Sequence, residues 1–288
     1  MTRWHASRST NKRRGRQPKQ AAFRLEEDPL PSTFFGWIIF LLQRYGSLFF
    51  QGAVVTLLIA VFGTVAGFVI GLLVAIVRTL KLRRSAGYVK KWLLKIAQFL
   101  LSAYIEIFRG TPMIVQAMVV YYGALQYLNL NIPALTAAFV VVSVNTGAYM
   151  AEIVRGGIIS VDPGQKEAAI AVGMSHWQMM TVVVLPQAIR NILPSVGNEF
   201  VVNIKDSSVL NVISVTEIYF MSKSAAGTYY KYFEVFFITA VIYFILTFTF
   251  TRLLRLLERK LSGRENYTVY GSQSDSEAEI HGVPGAKP

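Results

Sequence analysis

Long apolar runs alternate with short polar or basic interruptions from about Phe34 onward, and each run is read against the roughly 20 apolar residues needed to cross a bilayer. Gly52 to Val77 satisfies that length without a charge and predicts a first transmembrane helix. The stretch 34–50 is apolar but broken by Gln43 and Arg44, which predicts a separate interfacial elbow helix over 32–50. Tyr88 to Glu106 mixes apolar residues with Lys, Gln and Glu at helical spacing, as a helix lying partly along the interface would. After the helix-breaking Phe108 to Pro112, a second span ends near Leu128, and Pro133 to Ile159 is a third. Residues 187–220 are only moderately apolar. Pro194, Gly197 and Lys205 to Ser208 interrupt them, so they read as a broken fourth span whose irregular part is buried or lines a cavity. Phe233 to Phe250 is the last. The expectation is an all-α membrane protein with about five transmembrane helices, bounded by a basic tail over 1–31 and a polar tail over 262–288.

Between the third and fourth spans lies a polar passage, Asp162 to Pro186, that predicts two short helices and a tight turn. Asp162 can cap the first helix, Pro163 suits its first position, and Gln165 completes the capping-box spacing. Gly173 supplies a left-handed turn. Ser175 and Gln178 repeat the capping spacing for a second helix, which Pro186 ends, kinks or hands on.

Composition sharpens this picture. Of 288 residues, 53% are hydrophobic and 16% charged, far from a soluble domain. The absence of cysteine removes disulfides, thiolate metal sites and cysteine nucleophiles, and the scattered His5, His176 and His281 offer no metal site. The formal charge of +13 sits largely in the first 24 residues and in short loops, where positive charge marks the cytoplasmic side of a membrane protein. Arg78, Lys81, Arg83, Arg84, Lys90, Lys91 and Lys95 place that loop inside; Arg252, Arg255, Arg259 and Lys260 put the C-terminus inside too. The side of the N-terminal tail stays open. Ala169 and Gly173 have the spacing of a DNA-reading helix-turn-helix, but the second helix carries no Arg or Lys for phosphate or guanine, so nucleic acid is not the expected partner.

Several polar residues fall within the spans, where ionisable groups are costly and become candidates for function. Asn145, Tyr149 and Glu152 share one helical face and are a candidate substrate pathway; the alternative is helix–helix hydrogen bonding with a Glu152–Arg155 pair. Lys205 and Asp206 either line the same pathway or satisfy each other. Glu106 and Arg109 have the spacing of a structural pair. Gly63, Gly67 and Gly71 recur on one face and predict a close-packed seam, within the bundle or between subunits.

Glu167, Ala168 and Ala169, followed by Gly173, Val183, Leu185 and Pro186 at their particular spacing, resemble the EAA loop of ABC-type importer permeases, with Val183 where Ile is usual. Phe108 to Gln116, Ala148 to Ile158 and Asn203 to Leu210 are similar to stretches of the polar amino acid branch of that family, and the likeness runs from about Tyr45 to Leu261. The resemblance implies a permease domain over 51–261 in the cell membrane, with 162–186 as a cytoplasmic coupling loop. It implies two ATPase subunits that dock on Glu167, Ala168, Ala169 and Gly173, a second permease subunit of the same or a related sequence, an extracytoplasmic solute-binding protein, and an amino acid substrate. The chain has no phosphate-binding Gly-x-x-x-x-Gly-Lys-Ser/Thr loop, so ATP and magnesium are expected on the ATPases and no cofactor or catalysis on this chain.

Overall fold

A computed structural model describes residues 30–80 and 87–261. Every regular element among them is helical: α1 (Phe34–Thr79), α2 (Tyr88–Gly110), α3 (Met113–Leu128), α4 (Ala134–Ile159), α5 (Pro163–Ala171), α6 (His176–Gln178), α7 (Leu185–Asp206), α8 (Ile218–Tyr229) and α9 (Tyr232–Leu261). Residues 1–29 of the basic tail, the polar tail over 262–288 and the basic residues Lys81, Arg83 and Arg84 lie outside the described residues.

The elbow helix expected over 32–50 is not separate from the first span. α1 runs for 46 residues, about 69 Å at 1.5 Å per residue, over twice the thickness of a bilayer core. Gln43 and Arg44 do not break it because they lie on its exposed face. On the opposite face Trp37, Leu41 and Phe49 pack against Ala225 and Ala226 of α8 and Val235 and Ile238 of α9. Burial along one face therefore carries the helix through the polar interruption.

The glycine seam is internal. The second half of α1 packs on α4. A Cβ at Gly63 would come within 2.3 Å of Val142, at Gly67 within 2.8 Å of Thr146, and at Gly71 within 2.4 Å of Met150. The two backbones approach as closely as they do because those positions carry no side chain.

The fourth span is also more regular than its sequence suggests. His176 to Ile213 is one continuous helical stretch of 38 residues, so Pro194 and Gly197 do not interrupt it. The strain of Pro186 is taken up just before it by a π-helical turn over Met179–Val184, in which the Leu185 N–H reaches back to the Met180 carbonyl. Only from Ser207 does the helix tighten to a 3₁₀ turn, ending at Ser214 with φ 64°. Glu217, fully buried, then starts α8: its carboxylate accepts from the backbone N–H groups of Tyr219 (2.8 Å) and Phe220 (2.7 Å) and from the Tyr243 hydroxyl (2.7 Å).

The seam yields a direct test. Gly67→Val should lower the thermal stability of the detergent-purified protein by on the order of 1–3 kcal/mol through overpacking, whereas Gly123→Ala, with open space around it, should leave it unchanged or slightly raised.

Candidate functional site

Two places gather polar side chains: the loop at one end of the bundle and a cavity within it. At the loop, the Asp162 side chain accepts from the Gly164 N–H at 2.7 Å, so α5 is capped at Asp162 with Pro163 in its first turn as its sequence predicts, while Gln165 does not complete the expected box. Gly173 adopts φ +79°, and the Met174 N–H closes the turn on the Ala169 carbonyl at 3.0 Å. Ser175 and Gln178 form the full reciprocal capping box. Lys166 donates to the Ile158 carbonyl, tying the loop to the end of α4.

The motif residues divide by face. Ala169 is buried against Met179, Val184 and Val161 of its own chain, so it shapes the loop and is not free to touch a partner. Leu185 is half-buried. Glu167, Ala168, Gly173 and Pro186 are exposed, and beside them stand Ile170, Val172 and Trp177, the last two about three-quarters exposed. An apolar patch on a polar loop, held by caps at both helices, has the makings of a protein-docking surface.

The cavity is created by the interruption between α2 and α3. Thr111 is extended, as the residue before a proline prefers, and Pro112 starts α3. The backbone groups freed there are met by side chains. Gln116 donates to the carbonyls of Phe108 (3.0 Å) and Thr111 (2.9 Å) and to the Thr111 hydroxyl (2.9 Å). Asn145 of α4 donates to the Phe108 carbonyl (3.2 Å) and to the Gln116 side-chain carbonyl (2.9 Å). Beside this knot lies a cavity of about 330 Å³, walled by Arg109 and Thr111 from the break, Asn145 and Tyr149 from α4, and Glu199, Asn203 and Asp206 from α7. The Arg109 guanidinium lies over the Tyr149 ring, 5.3 Å from its centroid. Asn203 is fixed as wall, accepting from Thr146 at 3.1 Å and donating to Thr64 at 2.9 Å. The cavity thus presents one cation and two carboxylates with neutral hydrogen-bonding groups between them.

Of the pathway residues expected from the sequence, Asn145, Tyr149 and Asp206 meet in this cavity, and Glu152 and Lys205 do not line it. Glu152 is taken by two arginines, Arg78 at the end of α1 and Arg155 on its own helix at 2.7 Å. Lys205, about 100° round the helix from Asp206, is exposed outside the cavity lining. Arg109, expected to pair with Glu106, turns to Tyr149 instead. Glu199 and Asn203 were not singled out from the sequence. A carboxylate in an apolar stretch was the available signal, and reading 187–220 as broken hid the helical register that puts Glu199, Asn203 and Asp206 on one face.

Residues 84–263 match the family model described as binding-protein-dependent transport system inner membrane component. The glutamine transport system permease protein of Escherichia coli (strain K12) is 37% identical over 215 residues, 74% of this chain and 93% of that one. The arginine transport system permease protein of Bacillus subtilis (strain 168) is 35% identical over 215 residues, covering 75% and 93%. Among solved structures, an amino acid ABC transporter with histidines matches with TM-score 0.69 and 39% identity over 76% of this chain and 96% of that one. The inward-facing MetNI methionine ABC transporter, at 21% identity and TM-score 0.63, shares the fold.

The knot at the break predicts that Gln116→Leu, which leaves two backbone carbonyls and a hydroxyl without its amide, will lower stability by about 1–3 kcal/mol in thermal unfolding.

Proposed function

The chain belongs to the family of binding-protein-dependent transport system inner membrane components, and from that premise we propose that it is the permease subunit of an ATP-driven importer of polar amino acids. The observation that carries the substrate class is the cavity at the α2–α3 break, whose charges of both signs suit a zwitterion. Arg109 takes the carboxylate, Glu199 and Asp206 the ammonium, and Asn145, Tyr149 and Thr111 supply neutral hydrogen bonds along the ligand. Burying a zwitterion in a bilayer without such partners would be prohibitive, and here the partners are supplied by three separate helices, α2, α4 and α7.

The exposed surface of α5 and α6 is the docking element for an ATPase subunit, with Glu167 and the Ile170, Val172 and Trp177 patch as its contacts. Two ATPase subunits bind ATP and magnesium; this chain hydrolyses nothing and passes on their movement as a rigid-body shift of the loop. The Lys166 contact joins α5 to the loop end of α4, and the Glu152–Arg78 pair joins α4 to α1, so a push on α5 moves α1 and α4 together. The loop end of the bundle is cytoplasmic, as is the basic end of α9. A second permease subunit, identical or related, completes the pathway, and a solute-binding protein delivers the amino acid from the other side. Nucleic acid has no part.

Two outcomes test this reading. In proteoliposomes with the full complex and binding protein, Glu199→Gln should raise the KM for uptake roughly thirtyfold, about 2 kcal/mol of a charge-assisted bond, while Glu152→Gln leaves KM and ligand preference unchanged; the reverse pattern would move the site. Trp177→Ala should weaken ATPase association by about 2 kcal/mol, roughly thirtyfold in pull-down titration, and unaltered association would remove the docking assignment.

A further inference from the structure

The first turns of α2 stand apart from the bundle. Toward its C-terminus α2 is well held: Leu101, Tyr104, Ile105 and Phe108 pack with Val74 of α1 and with Ala148 and Ala151 of α4, and the Tyr104 hydroxyl donates to the Val144 carbonyl at 2.6 Å. Gln98 marks where α1 ends, because its side-chain amide donates to the Val77 (3.2 Å), Arg78 (3.4 Å) and Leu80 (3.1 Å) carbonyls. Tyr88 to Ala97 therefore overhangs the end of α1 by about 15 Å at 1.5 Å per residue.

This overhang is divided lengthwise. Lys90 and Lys95 are exposed and Lys91 half-buried on one side, with the half-buried Leu94 between them; Val89, Trp92, Leu93 and Ile96 lie on the other, with Trp92 and Leu93 each 56% exposed. No acidic residue occurs between Tyr88 and Ile105. A helix that leaves the hydrocarbon with an aromatic–aliphatic face and a lysine face matches the chemistry of the bilayer boundary, where indoles sit at headgroup level and lysines reach phosphate.

We propose that the overhang of α2 is a binding surface for anionic phospholipid headgroups, with Lys90, Lys91 and Lys95 on the phosphates and Trp92 and Leu93 in the acyl boundary beneath them. On the orientation given above, the lipid belongs to the inner leaflet. Tyr88 and Val89 stand exposed beside Lys90 at the start of the helix, and the apolar side chains continue from there through Trp92, Leu93 and Ile96 along one side toward the packed part of α2; a strip of that length beside lysines favours lipid over a local protein contact.

The test uses the full permease–ATPase complex in nanodiscs of phosphatidylcholine or of a phosphatidylcholine–phosphatidylglycerol mixture, with retained lipid read by native mass spectrometry after transfer to zwitterionic detergent. Each lysine near an anionic surface is worth about fivefold, so K90Q/K91Q/K95Q should lower the preference for phosphatidylglycerol on the order of a hundredfold, with the ATPases still bound. K90R/K91R/K95R should keep it. Molar salt should remove the preference from the unaltered complex, which checks the idea even if the glutamine variant fails to assemble through misfolding. An unchanged preference in the glutamine variant, or one that survives molar salt, would overturn the proposal. So would loss of the ATPases from a folded glutamine variant in zwitterionic detergent, because the lysines would then face the motor and not the lipid.

Discussion

Peptide groups held away from water must find hydrogen-bond partners within the protein, and in a membrane bundle that requirement decides where a helix is allowed to stop. α2 and α3 stop and restart at Thr111 and Pro112, and the structure supports the interruption with two amides, Gln116 and Asn145, aimed at the carbonyls it frees. The polar cavity follows from that choice. The gap leaves room beside the knot, α4 brings Tyr149 alongside Asn145, and the unbroken α7 supplies Glu199, Asn203 and Asp206 opposite. A continuous helix at 108–112 would close the cavity with its own side chains.

The surrounding frame is rigid where the cavity is open. The α1–α4 contact, made through Gly63, Gly67 and Gly71, holds two long helices backbone to backbone, and Glu152 fastens their loop ends through Arg78. The capped α5–α6 loop is joined to that same end by Lys166. A polar cavity at the middle and the proposed docking surface at one end are thus connected by packed helices and by the Glu152 and Lys166 contacts, the mechanical arrangement that a motor outside the membrane would need.

What could be read beforehand depended on how local the cause was. The loop was legible because Asp162, Gly173, Ser175 and Gln178 act within a few residues of themselves, and the glycine seam because its period is that of a helix face. The division of α1 was misjudged because burial of Trp37, Leu41 and Phe49 on α8 and α9, far along the chain, outweighs two polar residues on the exposed side. Pro194 and Gly197 suggested a break that neighbouring helices make unnecessary, and with it went the register of Glu199. Of the two readings of Glu152, the pair with Arg155 was legible because the two stand three residues apart on one helix, whereas Arg78, 74 positions away, gives no sign of itself in the local sequence.

The central claim is that the cavity at the α2–α3 break holds the transported amino acid, and the absence of native cysteine allows it to be probed directly. With Val202→Cys on the cavity wall of the assembled complex, labelling by a small thiol reagent should be slowed by a polar amino acid and restored by Arg109→Ala. Labelling that no amino acid affects, in a complex that still transports, would contradict the account.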